Sequence, residues 1–349
     1  MKHEFAILGG GLAGLSAAIR LAELGCAPLL IEAGNYPSHK VCGEFLSPDS
    51  MPLLQRWGIN PKIIHQTHVH TPTRSLTFNF PSPAGSLSHW QLDPALADLA
   101  VSNGTNLLTG TKVAHLTPSK SVHEWHELTL SSGKKIETRH LIIATGRLPQ
   151  FSAQPLVPRY IGVKAHFKGI DLRDRLEMFS FPKAYIGLAP IEHGCNIACL
   201  ADVHAFQQVG SANAFIDSLC QQHPLLKSYL AQGENLFSGW MQAPLPEFGI
   251  KNTPAWTNAY FIGDSAGTIP PACGNGLTMA LIGGHMAADY AFQGQFEEFK
   301  KRWKRQFHSQ ILVGKLLHRL MFNPSYGKLF LRMNDFFPPL SSLIFSLTR

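Results

Sequence analysis

Six residues near the start of the chain have the spacing of a dinucleotide-binding turn. They read Gly9-Gly10-Gly11-Leu12-Ala13-Gly14. Gly9 permits a tight turn, Gly11 lets a pyrophosphate approach the backbone, and Gly14 lets a helix pack closely on a strand. Glu32 follows 18 residues after Gly14, where a carboxylate can accept hydrogen bonds from ribose hydroxyls. We therefore predict that this segment binds a dinucleotide.

Such a turn needs a strand before it and a helix after it, and the flanking sequence predicts both. Residues 4–8 form an apolar strand, residues 12–25 carry apolar side chains at helical spacing, and residues 28–31 form a second apolar strand. Together they have the size of a parallel crossover.

A second glycine-rich segment follows a predicted strand at 259–262. It contains Gly263-Asp264-Ser265-Ala266-Gly267, Pro270-Pro271 and Gly274-Asn275-Gly276-Leu277-Thr278, and it resembles the distal flavin motif of the p-hydroxybenzoate hydroxylase and geranylgeranyl reductase superfamily. The resemblance implies that Asp264 binds the ribityl chain of FAD and that a helix N-terminus faces the flavin pyrimidine. A helix N-terminus there would stabilise the negative charge of a reduced flavin. The resemblance thus indicates FAD as the cofactor.

A third segment, Lys40-Val41-Cys42-Gly43-Glu44-Phe45-Leu46-Ser47, resembles the loop that geranylgeranyl reductases place against the flavin ring. By this resemblance Lys40 neutralises flavin phosphate and Gly43 permits close approach to the ring. Cys42 and Glu44 would border the reaction chamber, and they are our candidate catalytic residues. A partly buried Glu44 would have a raised pKa and could donate a proton, whereas a solvated carboxylate would not. We expect further flavin contacts from Leu12, Ala13, Ala33, Cys42, Val113, Thr145, Gly146, Gly263, Gly274, Gly276 and Leu277.

The chain departs from that superfamily at two positions. Thr145-Gly146-Arg147 replaces an Asp-Gly pair tied to pyridine nucleotide use, so NAD(P)H is one candidate electron donor among others. His89 stands where an arginine commonly precedes a helix, which we predict over 93–102 with Asp93 as its N-cap. The Trp-x-Trp-x-Ile-Pro element of flavin halogenases is also missing from the sequence, which disfavours halogenation.

The composition is that of a globular protein, with 45% hydrophobic residues, 15% charged residues and a net charge of +7. The six cysteines form no CxxC pair, which indicates a reducing compartment and no zinc site. The seventeen histidines, including His65, His68 and His70, are irregularly spaced, so we interpret them as surface or capping residues and predict no metal. No apolar stretch reaches the roughly 20 residues of a membrane span. We predict a cytoplasmic protein without a transmembrane helix.

The segment from Phe299 onward has ten Lys or Arg residues against one acid, Asp335, with apolar residues interleaved. A basic amphipathic helix of this kind either packs on its own domain or lies on an anionic membrane. We expect the first arrangement and keep peripheral contact at the inner face of a membrane as the alternative. Nucleic-acid binding fits poorly, because no reading module is present.

These patterns predict an α/β fold with a three-layer, Rossmann-like FAD-binding domain and an inserted antiparallel β-sheet. We assign residues 1–62, 89–150 and 250–298 to the FAD-binding domain, 63–88 and 151–249 to the substrate domain, and 299–349 to a C-terminal helical cap. Our first hypothesis is an FAD-dependent monooxygenase acting on a lipophilic or aromatic small molecule. The alternatives are a geranylgeranyl-reductase-like enzyme that reduces isoprenoid double bonds and a non-catalytic, membrane-docked flavoprotein. The sequence does not indicate an oligomeric state.

Overall fold

The computed structural model describes residues 1–147, 157–327 and residue 332. The predicted domain boundary at 150 lies outside these residues. So does the part of the predicted cap that follows residue 327, apart from residue 332. In chain order the strands are β1 (Lys2–Leu8), β2 (Leu29–Ile31), β3 (Phe45–Leu46), β4 (Lys62–Thr71), β5 (Arg74–Ser86), β6 (Asn106–Leu108), β7 (Val113–Thr117), β8 (His126–Leu130), β9 (Lys135–Ile143), β10 (Tyr160–Lys168), β11 (Arg175–Phe181), β12 (Ala184–Ile191), β13 (Gly194–Asp202), β14 (Glu234–Asn235), β15 (Met241–Leu245), β16 (Gly249–Ile250), β17 (Ala259–Phe261) and β18 (Gly267–Thr268). The α-helices are α1 (Leu12–Glu23), α2 (Met51–Arg56), α3 (His89–Ser102), α4 (Val203–Val209), α5 (Ala212–Gln222), α6 (Pro224–Gln232), α7 (Gly276–Phe292) and α8 (Phe296–Met321).

The first sheet contains the predicted parallel crossover. Its strand order is β6-β2-β1-β9-β8-β7, and β17 pairs with β9 beside β8. Strands β1, β2, β6, β9 and β17 are parallel, while β7 and β8 are antiparallel to their neighbours. The carboxyl ends of β1, β9 and β17 therefore meet at one edge, where ligands bind in open α/β sheets.

Side chains of β1 alternate between two hydrophobic layers. Phe5 and Ile7 pack toward α1, α3 and α7, whereas Ala6 and Leu8 pack toward β7 and β8. This alternation follows from the two-residue period of a strand. The resulting helix, sheet and β-layer arrangement confirms the predicted fold class.

The second sheet has nine strands, in the order β14-β10-β13-β12-β11-β4-β5-β3, with β15 on β10. All its pairs are antiparallel except β4 with β11. One face packs against α4, α5 and α6, with Phe179 and Phe181 fully buried in that core. The other face looks toward α8 and the loop after β2.

Two sequence-based assignments were wrong in detail. Helix α3 begins at His89 rather than Asp93, because Ser88 is the N-cap and its Oγ accepts a hydrogen bond from the Gln91 amide at 3.3 Å. Pro94 consequently lies inside the helix. The apolar residues over 107–116 predict a single strand, whereas the structure has two, β6 and β7, because the chain turns at Gly110, which has a φ of 60°.

Helix α8 is amphipathic and packs on the first domain, as expected for the start of the cap. Phe299, Trp303, Phe307 and Ile311 are buried and recur every three or four residues along one face. Within the described part of the chain, no helix has the length and apolar character needed to cross a bilayer.

Helices α1 and α7 approach so closely that one contact requires glycine. A Cβ atom on Gly284 would lie 2.1 Å from the Ala13 carbonyl oxygen, and the nearby Ser16 hydroxyl donates a 2.6 Å hydrogen bond to the Leu281 carbonyl. Leu15 and Ile19 of α1 are fully buried in the same hydrophobic core, and their burial contributes about 1.5–3 kcal/mol each.

We therefore expect Gly284→Ala to destabilise the protein by about 1–3 kcal/mol, because the added methyl group forces the helices apart. Its neighbour Gly283 is a matched control, since a Cβ there would lie at least 3.7 Å from other atoms. Gly283→Ala should be neutral or stabilising by up to about 1 kcal/mol, because alanine favours helix. Urea unfolding of both variants checks this, and equal unfolding midpoints would contradict the proposed close contact.

Candidate flavin site and cavity

The first glycine turn has the geometry of a phosphate cradle. Gly9 has a φ of 99°, and a Cβ on Gly14 would lie 1.9 Å from the Gly9 carbonyl oxygen. Beside Gly11, in contrast, the space is open: the nearest atom to an added Cβ is Lys40 Nζ at 3.9 Å. Gly11 is also the N-cap of α1 and offers no side-chain cap, so the first amides of the helix are directed at this space. An anionic pyrophosphate fits there.

Glu32 lies at the carboxyl end of β2, next to the same turn. Its two carboxylate oxygens accept hydrogen bonds from the amides of Gly10 (2.5 Å) and Gly34 (2.6 Å). The Tyr36 hydroxyl donates to the Gly10 carbonyl at 2.5 Å and so fixes the turn from the other side. An ionised carboxylate has about four acceptor positions, so Glu32 retains capacity for ribose hydroxyls. Ala33 follows it on the surface, and Val113 is buried at the start of the neighbouring β7.

The distal segment meets this turn at the edge of the sheet. A Cβ on Gly263 would lie 3.1 Å from the Ala13 side chain, and Ser265 Oγ donates to the Ile143 carbonyl at 2.6 Å. Asp264 is partly exposed and lies 3.8 Å from Arg147. Both glycine motifs and Thr145-Gly146 therefore converge, as the resemblance implies for a single FAD molecule.

The turn before α7 supplies the second open helix end. Gly274 is left-handed, with a φ of 64°, and Phe45 packs against it. Asn275 precedes the helix without capping it through its side chain, which is instead bonded to Ser47 and Gln310. The amides of Gly276 and Leu277 begin α7 at this point. This end can stabilise negative charge on a bound flavin.

The loop at 40–44 is held by a buried ion-pair network centred on Glu44. One carboxylate oxygen accepts from Lys164 Nζ (2.5 Å) and from the His89 amide (2.8 Å), and the other contacts His166 Nε2 (2.8 Å). Lys164 Nζ also donates to the Lys40 carbonyl at 2.9 Å. Glu44 and Lys164 are both fully buried. The network therefore joins the flavin loop to β10 of the second sheet.

The protonation expected for Glu44 was wrong. Burial alone would raise the pKa of its carboxyl group, but the hydrogen bond from His166 and the charges of Lys164 and His89 lower the pKa below its usual value. Glu44 is thus neither a solvated carboxylate nor a raised-pKa acid. It is a structural anion, and its side chain is not part of the cavity lining.

Cys42 keeps its position at the reaction chamber and has an unexpected partner. Burial raises the pKa of the Cys42 thiol, but the neighbouring His89 outweighs burial and lowers it, and His89 Nδ1 lies 2.8 Å from Asp93 Oδ1. Lys40 Nζ binds the other Asp93 oxygen at 2.6 Å. His89 therefore does not take the phosphate-binding place of the family's arginine. The contacts of His89 and Lys40 with Asp93 were not predicted, because a helix that begins at Asp93 leaves His89 outside it. The Ser-x-x-Gln pattern at 88–91 is nevertheless that of a capping box.

An apolar cavity of about 500 Å³ begins at this loop and extends between the second sheet and α8. At the flavin end it is lined by Cys42, Gly43 and residues 271–274. Farther along, its walls are formed by alternate residues of β4 and β11 and by the last turns of α8. These include Val69, Thr71, Met178, Ser180, Leu317 and Leu320. The size and lining are those of a small-molecule site for an apolar ligand.

The interpretation of the histidines as surface residues was also wrong for several of them. His70 is buried and its Nε2 lies 2.6 Å from the buried Glu177, with His68 3.5 Å from the same carboxylate. These three side chains are close enough to hold a metal ion. Arg175 and the Tyr229 hydroxyl already donate to Glu177, at 2.7 and 3.0 Å. The negative charge of the Glu177 carboxylate is thus compensated by hydrogen-bond donors of the protein itself.

A family model described as pyridine nucleotide-disulphide oxidoreductase matches residues 3–178, just over half of the chain. The chain belongs to this family. Its relatives include a menaquinone reductase from Mycolicibacterium smegmatis, which is 25% identical over 86% of this chain and 79% of its own length.

Two solved structures share the fold. A flavin-dependent brominase superposes with a TM-score of 0.84 and 15% identity, over all of this chain and 93% of its own. A geranylgeranyl bacteriochlorophyll reductase-like protein from Thermoplasma acidophilum superposes with a TM-score of 0.75 and 16% identity, over 99% of both chains. These likenesses confirm the predicted fold. Together with the family match, they make the protein an FAD-dependent oxidoreductase.

Because the space beside Gly11 is open, Gly11→Val should abolish stoichiometric FAD binding without unfolding the protein. The valine side chain would occupy the room needed by the pyrophosphate. Gly239→Val is the matched control, since Gly239 is equally uncrowded but lies between β14 and β15 of the second sheet. Flavin absorbance of the purified variants checks this, and a full complement of FAD in Gly11→Val would refute the assignment of the turn.

Glu44→Gln should destabilise the protein by about 3–5 kcal/mol near neutral pH, because it leaves the buried Lys164 ammonium without its counter-charge. Glu234→Gln, which removes an exposed partner of Lys168 at 2.8 Å, should cost about 1 kcal/mol or less. Urea unfolding provides both values.

The effect of Glu44 should depend on pH in a defined direction. Its folded pKa is lowered, so its stabilisation is fully present above the ordinary carboxyl pKa and is lost as pH falls through the folded value. The difference between wild type and Glu44→Gln should therefore shrink in acid. A difference that stays constant on acidification would contradict an ionised Glu44.

Proposed function

We propose that this protein is an FAD-dependent reductase that saturates a carbon–carbon double bond in a lipophilic, isoprenoid-containing substrate. The observation that carries the proposal is the apolar cavity, which begins at the two flavin-contacting segments and has room for an extended hydrocarbon chain. Similarity to menaquinone reductase over 86% of the chain supports it, because a prenylated quinone is a substrate of this chemical class.

The environment of Cys42 also favours reduction over oxygenation. The pKa of this thiol is lowered because, although burial raises it, the neighbouring His89 outweighs that effect. Cys42 lines the cavity, and a lowered pKa makes a thiol in such a position more susceptible to oxidation. Oxygen activation beside it would place a strong oxidant against such a group, whereas double-bond reduction would not.

When FAD is bound and reduced, it supplies the hydride. The residues of this chain have the other tasks. Gly11 and the start of α1 hold the pyrophosphate, Glu32 holds the ribose, and the start of α7 stabilises charge on the reduced cofactor. The cavity walls hold the substrate chain and exclude water. NAD(P)H remains one candidate electron donor, and peripheral membrane contact through the C-terminal segment remains a prediction.

Monooxygenation, our first hypothesis from the sequence, is the second candidate. The same apolar cavity favours it, because an oxygenating flavin also needs protection from water. The two activities differ in their products: the reductase adds two hydrogen atoms to the substrate under anaerobic conditions, and the monooxygenase adds one oxygen atom in air.

The test uses the chemically reduced holoprotein and a menaquinone with an isoprenoid side chain, incubated without oxygen and analysed by mass spectrometry. We expect a reoxidised flavin and a product that keeps two added hydrogen atoms after the protein is removed and the quinone ring is reoxidised in air, because reduction of the ring alone also adds two hydrogen atoms. No product without oxygen, but an oxygenated product in air, would refute the reductase.

Val69→Trp tests the cavity, because the larger ring fills space that the substrate chain needs. It should lower the rate of flavin reoxidation by menaquinone at least about tenfold, a loss of about 1.4 kcal/mol of transition-state stabilisation, and leave FAD content unchanged. Ile63→Trp is the matched control on the same strand, since Ile63 is exposed and lies outside the cavity lining. Equal rates in the two variants would exclude this cavity as the substrate site.

A further inference from the structure

The outer face of α8 differs from the face that packs on the protein. Leu312 and Leu316 are one helical turn apart, and they are 54% and 52% exposed. They belong to a stripe of exposed residues that recurs every three or four positions along the helix: Lys301, Arg305, His308, Leu312, Leu316 and Arg319. The buried residues of α8 lie on the opposite side, so this stripe faces away from the core.

The charge around the two leucines is positive. Residues 301–321 contain six lysines or arginines and no aspartate or glutamate. The acids of the helix, Glu297 and Glu298, are confined to its first turn. None of the six cations forms an ion pair with another residue that the structure describes. Single exposed leucines are ordinary on a protein surface, but leucines within a field of free cations are typical of a helix that lies on an anionic membrane.

This outer face lies beside the apolar cavity. Leu317, which follows Leu316, lines the cavity from the inner side of the same turn, and so does Leu320 one turn later. Gly327 lines the cavity after the helix ends, and the adjacent Tyr326 is 57% exposed. The last turns of α8 thus have the cavity on one side and the exposed stripe on the other.

We propose that the outer face of α8 docks on the surface of an anionic phospholipid bilayer and that the lipophilic substrate passes from this bilayer into the cavity. The proposal rests on the proposed function, because an isoprenoid-containing substrate is driven out of water and into lipid. The leucines enter the headgroup region, and the cations contact lipid phosphate groups.

Other occupants of this face fit its chemistry less well. A second copy of the chain in a symmetric dimer would bring two positive faces together, and like charges repel. Nucleic acid would contact the cations but would place Leu312 and Leu316 against a polar backbone. An anionic bilayer offers phosphate groups to the cations and an apolar boundary to the leucines.

Docking is tested with the full-length, FAD-loaded protein by co-sedimentation with vesicles of phosphatidylcholine alone or mixed with phosphatidylglycerol. We expect the protein to sediment with the mixed vesicles in low salt and to be released by added salt, because salt screens exposed charges. A wild-type protein that stays in the supernatant with the mixed vesicles in low salt would overturn the proposal.

Leu312→Gln together with Leu316→Gln should weaken binding to the mixed vesicles at least about tenfold, because the burial of two leucines in lipid is lost. Leu225→Gln together with Leu236→Gln is the matched control. These leucines are also exposed, at 39% and 45%, but Leu225 lies on α6 and Leu236 follows β14. The control should bind like the wild type. If the α8 variant binds as tightly as the control, or if the wild type forms dimers that this variant loses, the face is not a membrane contact.

Lys301→Gln together with Arg305→Gln tests the charge in the same assay. It should weaken binding to the mixed vesicles about tenfold or more and make binding less dependent on salt. Lys134→Gln together with Lys227→Gln removes the same charge from exposed positions outside α8 and should have a smaller effect. Equal losses in the two variants would show that net charge, and not this face, attracts the membrane.

Transfer of substrate from the bilayer is tested with the dithionite-reduced holoprotein in the absence of oxygen. Menaquinone is supplied either embedded in the mixed vesicles or, as a short-chain form, dispersed in detergent. The Leu312 and Leu316 double variant should slow flavin reoxidation by the embedded quinone at least about tenfold and leave the rate with the dispersed quinone unchanged, because neither leucine lines the cavity.

Equal slowing with both forms of the quinone would place the defect in the active site and would overturn transfer from the bilayer. A wild type that binds the vesicles but is reoxidised by neither form would overturn the reductase and the transfer together. Docking itself would then stand on the vesicle result.

Discussion

The buried ion pair between Glu44 and Lys164 connects the two parts of this molecule. Glu44 belongs to the loop after β2, and Lys164 lies on β10 of the other sheet, 120 residues later in the chain. Neither charge contacts solvent, so each needs the other to offset the loss of hydration. Glu44 also has a left-handed backbone with a φ of 55°, a conformation that costs a non-glycine residue roughly 1–2 kcal/mol. The network around its carboxylate holds the loop in that conformation, in which the preceding Cys42 and Gly43 line the cavity.

The parts of the structure that depend on local sequence were predictable. The glycine turn, its flanking strand and helix, and the second flavin segment are set by backbone requirements that appear directly as glycine spacing and apolar periodicity. The convergence of the two segments also followed, because parallel strands end at the same edge of a sheet. Strands β4 and β11 pair in parallel, and nothing local in either segment indicated that pairing.

The parts that depend on distant partners were not predictable. A solvated Glu44 and a raised-pKa Glu44 were both reasonable from the loop alone, because Lys164 and His166 lie in a segment whose register with the loop is set only by the sheet. The error at α3 had a different origin. Taking Asp93 and Pro94 as a helix start was sound by propensity, but the Ser88 cap added four residues to the helix, and those residues bring His89 and Asp93 one turn apart on the same face.

Most residues that line the cavity lie outside the predicted flavin-binding segments. Its flavin end is built by the glycine turns, which admit little change, but its far end is built by the last turns of α8 and by single faces of two strands. Substitutions there can alter the length or branching of the hydrocarbon that fits while the redox apparatus stays intact. Such a division lets one lineage diversify in substrate while conserving its chemistry, and it makes the inner face of α8 the natural place to redesign selectivity.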